Sequence, residues 1–76
     1  MVQDKVIELF AEQLGRQPEQ IAPDADLVED LGVDSLDMAE LVMAIEEEFD
    51  IKIEDEEAPQ FKTIGQVVSF IEKMVQ

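Results

Sequence analysis

The run Asp34–Asp50, DSLDMAELVMAIEEEFD, decides how this chain folds. At about 100° per residue, Met38, Leu41, Val42, Ile45 and Phe49 fall along one side of a helix. That spacing predicts a helix over 34–50 with this stripe on the core. Asp34 is a favoured N-cap and Asp37 sits in the first turn, where both complement the positive end of the helix dipole; such a cap contributes about 1 kcal/mol. The opposite side carries more than a lone helix needs. Leu36, Ala39 and Met43 share it, ringed by Glu40, Glu46, Glu47 and Asp50, with Asp34 and Asp37 at the helix start. An apolar centre inside an acidic rim is how a docking patch for another protein is built, because the centre desolvates on contact and the rim steers. Isolated exposed apolar residues are ordinary. Three in register beneath a ring of acids favour the patch.

Outward from that run, Val2–Leu14 repeats the helical pattern, with Val2, Val6, Leu9, Phe10 and Leu14 on one face and Asp4, Glu8 and Glu12 on the other. Gly15 follows where a C-cap accepts positive φ. From Arg16 to Asp34 the periodicity fails, and Pro18, Pro23 and Gly32 punctuate a long connection. Ile21, Leu27, Val28 and Leu31 are expected to pin it to the core, with short helical turns after Pro18 and Pro23. Ile51–Ile53 has no partner strand. Asp55–Phe61 reads as a short helix or turn interrupted by Pro59. Thr63 then caps a last helix reaching about Val75, with Ile64, Val67, Val68, Ile71 and Met74 inward and Phe70 at the edge. The predicted fold is all-α: three main helices, a short helix before the last, and a long first loop, in one domain spanning 1–76.

Composition narrows the chemistry. The 76 residues hold 20 acids against 5 bases, a net charge of −15, with no Cys and no His. Disulfides, Cys-based zinc sites and the usual neutral-pH proton shuttle are therefore absent. The negative field repels nucleic acid and anionic lipid, and no apolar run is long enough to cross a bilayer. A hydrophobic content of 46% is too high for a disordered acidic chain. Ser35 stands at the head of the patch, and the other serine, Ser69, lies within the last helix. Ser35 has no base to make it a nucleophile, since Lys5, Lys52, Lys62 and Lys73 all lie far along the chain. Two roles stay open for it: a capping hydroxyl, or the acceptor of a group attached by another enzyme. Asp24, Asp26, Glu29 and Asp30 cluster without the spacing of a calcium loop, so an acidic ion buffer is a rival class, and a simple adaptor another.

The motif Leu31-Gly32-Val33-Asp34-Ser35-Leu36-Asp37, the run Glu40–Phe49 and the loop Gln20–Leu27 together resemble the acyl carrier proteins, in particular the free-standing carriers of type II fatty-acid synthesis. The resemblance spans essentially the whole chain. It implies a small four-helix bundle without enzymatic activity, carrying 4′-phosphopantetheine on Ser35. A phosphopantetheinyl transferase would attach that arm from coenzyme A, and acyl groups would ride on its thiol to fatty-acid synthesis enzymes. Carried over by position, Asp34, Leu36, Asp37, Glu40, Met43, Glu46 and Glu47 form the docking surface for basic patches on those enzymes. Leu41, Ile45, Ile53, Ala58, Phe61, Val68 and Ile71 are the implied acyl pocket, each equally explained as core. Pro59 and Phe61 depart from the family pattern, the first shortening the third helix and the second narrowing the pocket, and Ala39 makes the patch smaller. The resemblance further implies a cytoplasmic monomer, or a plastid protein after processing, with no metal and no membrane insertion. Val33-Asp34 before the serine favours an acyl over an aminoacyl carrier, and a specialised carrier of polyketide or other secondary metabolism is the alternative.

Overall fold

A computed structural model describes residues 2–54 and 56–75. Three α-helices carry the fold: α1 (Val2–Leu14), α2 (Ser35–Phe49) and α3 (Ile64–Met74). The expected apolar stripes lie inward except at Met74, which is exposed in the last turn of α3. Val6 and Phe10 of α1, Leu41 and Ile45 of α2, and Ile64, Val67, Val68 and Ile71 of α3 are buried in one core. α1 ends as a glycine-capped helix does: Gly15 adopts φ +68°, and the Arg16 N–H reaches back to the Ala11 carbonyl at 2.9 Å.

The long connection is stitched to the start of α3. An isolated antiparallel bridge joins Asp26 to Thr63, and the Leu27 N–H donates to the Lys62 carbonyl at 2.7 Å. A helix begins with backbone N–H groups that have no partner within it. In α3 those of Ile64 and Gly65 donate to the carbonyls of Ala25 and Pro23, at 3.4 and 2.9 Å, and Thr63 Oγ1 accepts from the Gln66 N–H at 3.2 Å. The loop therefore completes the helix terminus while Ile21, Ala25, Leu27, Leu31 and Val33 enter the core. Pro18 opens a 3-10 turn over Pro18–Gln20, as expected. Val28 does not pin the loop: 67% of its surface is exposed. The turn after Asp26 points it outward.

Before α3 the described residues form a turn at 56–57 and a single 3-10 turn, Ala58–Gln60, where a short helix over 55–61 was expected; Asp55 lies outside the described residues. The Gln60 and Phe61 N–H groups close onto the carbonyls of Glu57 and Ala58. Pro59 has no N–H to extend the ladder, which holds the segment to one turn. α1 packs on both α2 and α3, whereas α2 and α3 make little direct contact. Of the residues after α2, Ile53 is buried in the core, and Phe61 packs partly against it.

Candidate functional site

The N-terminus of α2 settles one of the two roles left open for Ser35. Asp34 is the N-cap: its Oδ1 accepts from the Asp37 N–H at 2.8 Å, and Asp37 Oδ2 accepts in return from the Asp34 N–H at 3.4 Å. This reciprocal capping box satisfies the helix start with carboxylates. Ser35 is the first residue inside the helix and is exposed. No hydrogen bond among the described residues engages its hydroxyl, which is left available for chemistry.

Ser35 also borders a groove of about 890 Å³ between α2 and the segment leading to α3. Met38, Ala39 and Val42 of α2 line it together with Ile53, Ala58 and Phe61. Of the residues the resemblance assigned to a pocket, Ile53, Ala58 and Phe61 are thus on its wall. Leu41, Ile45, Val68 and Ile71 lie instead in the packed core. Met38, Val42 and Val33 line the groove as well, although helical periodicity distinguishes only inward from outward positions and marked the first two simply as core. Val28 adds an exposed apolar side chain at its edge.

The docking residues separate into two kinds. Leu36 and Met43 are 68% and 60% exposed, Ala39 and Glu47 are also exposed, and Asp34 and Asp37 flank Ser35. These form an open patch. Glu46 and Glu40 have partners within the chain. Glu46 Oε2 accepts from the Ile53 N–H at 2.7 Å, tying α2 to the opposite wall of the groove, and the Gln13 side-chain amide of α1 donates to the Glu40 carboxylate. Phe61, at the end of the 3-10 turn, meets Phe70 of α3 edge to face, with ring centroids 5.4 Å apart and planes inclined by 66°. Such a pair contributes about 1 kcal/mol beyond its burial.

Carboxylates elsewhere do not converge on an ion: among the described residues no group of three or more His, Cys, Asp or Glu is arranged to hold a metal. Asp26 and Asp30 of the suspected cluster bond backbone amides. Asp26 Oδ1 accepts from Val28 and Glu29 N–H at 3.0 and 2.9 Å, and Asp30 Oδ2 accepts from the Asp26 N–H at 2.8 Å. No helix among the described residues is long and apolar enough to cross a membrane.

Residues 4–71 match a family model described as the phosphopantetheine attachment site. The chain is 49% identical over 72 residues to an acyl carrier protein of Bdellovibrio bacteriovorus, an alignment covering 95% of this chain and 92% of that protein. It is 50% identical over 72 residues to an acyl carrier protein of Solidesulfovibrio magneticus, with the same coverage of 95% and 92%. A third, from Akkermansia muciniphila, is 47% identical over 73 residues, covering 96% of this chain and 91% of the relative.

Proposed function

The chain belongs to the acyl carrier proteins, non-catalytic carriers that hold a covalently attached 4′-phosphopantetheine, and from that premise we propose that Ser35 is the attachment residue. The observation that carries this reading is the exposed Ser35 hydroxyl, unused by the capping box and bordering the groove. A phosphopantetheinyl transferase would join the Ser35 Oγ to the phosphate of the arm, breaking the phosphoanhydride of coenzyme A and releasing adenosine 3′,5′-bisphosphate and the Ser35 proton. The arm supplies a thiol for thioester chemistry, which a chain without Cys lacks. The chain's own residues present and orient that arm. Asp34 and Asp37 keep the helix start satisfied, and their charge beside Ser35 opposes a tightly held phosphate, leaving the arm free to swing.

The groove is read as the shelter of the acyl chain, with Met38, Val42, Ile53, Ala58 and Phe61 excluding water from it and Leu41, Ile45, Val68 and Ile71 as the packing behind it. Leu36, Met43 and Ala39 would be covered by the enzyme that receives the cargo, with Asp34, Asp37 and Glu47 steering its basic side chains. Glu40 contributes charge to that field, while the structural tie of Glu46 makes it a lesser docking residue. Fatty-acid synthesis in the cytoplasm, supported by the bacterial relatives, is the pathway class that fits a chain of this kind. The frame is that of a four-helix bundle whose short third member has contracted to the Ala58–Gln60 turn.

Intact mass tests the attachment. Incubated with coenzyme A, magnesium and a broad-specificity phosphopantetheinyl transferase, the protein is expected to gain one phosphopantetheine. Ser69→Ala should gain it too and Ser35→Ala should not. An unchanged wild-type mass, under conditions that modify a control carrier, would sink the reading.

A further inference from the structure

We propose that the Phe61–Phe70 pair is a fixed wall that sets how much of an acyl chain the groove shelters, an inference that rests on reading the groove as the acyl shelter. Phe61 lines the groove, whereas Phe70 lines a second depression on α3, bounded by Thr63, Gln66, Ser69 and Lys73. The two rings meet edge to face at 5.4 Å between them. The pair is therefore a partition, with one ring turned to each cavity and both half-buried. The two rings thus stand where the groove would otherwise run on into the second depression, and an acyl tail that reaches Phe61 meets the pair instead of open space.

The backbone carrying Phe61 is held on both sides. Its own N–H closes the 3-10 turn onto the Ala58 carbonyl at 3.3 Å. Next to it, the Lys62 carbonyl accepts from Leu27 at 2.7 Å, the Lys62 N–H donates to Gln66 Oε1 at 2.6 Å, and Thr63 is bridged to Asp26. With the backbone tied to the long loop and the ring braced by Phe70, the wall acts as a stop and not as a gate. An aliphatic residue at 61 would leave space that the groove could annex, because a truncated aromatic is only partly replaced by relaxation of its neighbours.

The test loads wild type, Phe61→Leu, Phe61→Ala and Phe70→Ala at Ser35 from a series of saturated acyl-coenzyme A thioesters of increasing length. The melting temperature of each acyl form is read relative to the same variant's own phosphopantetheine form, so that any general loss of stability cancels. In wild type the increment is expected to rise with chain length and then level. In Phe61→Ala the levelling point is expected at longer chains, with Phe61→Leu, which keeps an apolar side chain and folds most safely, between the two. Phe70→Ala, which unbraces the ring, should also move it outward. A levelling point unchanged in the Phe61 variants would overturn the wall and leave the shelter standing. A wild-type increment that never depends on length would overturn both.

Discussion

Asp26 sits at the turn of the long loop. Its carboxylate accepts backbone N–H groups of Val28 and Glu29, and those bonds reverse the chain so that Val28 faces out and Leu27 faces in. The Glu29 N–H above all, with the Val28 N–H and the field of Lys62 behind it, holds the carboxyl below its ordinary value of 3.8 against the opposing cost of desolvation. A carboxylate whose folded pKa is depressed stabilises the fold above its unfolded value and loses that contribution as pH falls through the folded one. Asp26→Asn is therefore expected to melt lower than wild type at neutral pH, with the gap closing as pH drops below 3.8. Melting curves across pH check this; a gap that stays constant down to the acid limit would remove the role. The sequence displays Asp24, Asp26, Glu29 and Asp30 as a cluster of charge but not that Asp26 and Asp30 turn back onto the backbone. The two roles open for Ser35 had the same origin. Asp34 and Ser35 are both good caps, and only the helix start shows that Asp34 has taken the position.

Along α2 the sequence was legible where periodicity governs and silent where tertiary contacts do. Its core stripe and its exposed Leu36 and Met43 follow from spacing at about 100° per residue. The groove did not, because it depends on where Ile53, Ala58 and Phe61 come to rest beside the helix, and the sequence around them has no period. Glu46 illustrates the difference. On a wheel it joins the acidic rim, yet its carboxylate takes the Ile53 N–H and closes one side of the groove. Removing a charged partner from a part-buried amide costs about 1 to 3 kcal/mol. Glu46→Ala is expected to lose stability on that scale and to speed amide exchange in residues 51–54, measured by denaturation and hydrogen exchange. Glu47→Lys should not lower the melting temperature but should slow acyl transfer to a partner enzyme at low salt and flatten its salt dependence. Equal effects of the two substitutions on stability would abolish the distinction. The helix stops at Asp50, a non-glycine residue at φ 54°, with Glu46, Glu47 and Glu48 just before it and no basic residue in the last turn. That end runs against the helix dipole.

The molecule as a whole is held together against its own charge. Twenty acids face five bases, and the one ion pair found among the described residues, Lys5 to Glu48 at 3.8 Å, joins two side chains each 43% exposed. An exposed pair of that kind contributes between about 0 and 1 kcal/mol, far too little to offset the repulsion. Screening should therefore act directly on stability: at 0.15 M salt the Debye length shrinks to about 8 Å. The melting temperature is expected to rise from low to moderate salt, and more steeply with magnesium. A fall on adding salt would mean that the charge is no burden. The same whole-molecule view gives meaning to Ser35 bordering the groove. A cargo tethered there, as proposed, would meet its shelter at a roughly millimolar effective concentration, whatever the protein's dilution. Each methylene drawn inside adds about 0.8 kcal/mol to the hidden state. A receiving enzyme binds only the outward fraction, and its apparent affinity falls by that fraction. On that reading the carrier would compete with its own clients and would yield most reluctantly the cargo whose length fills the groove.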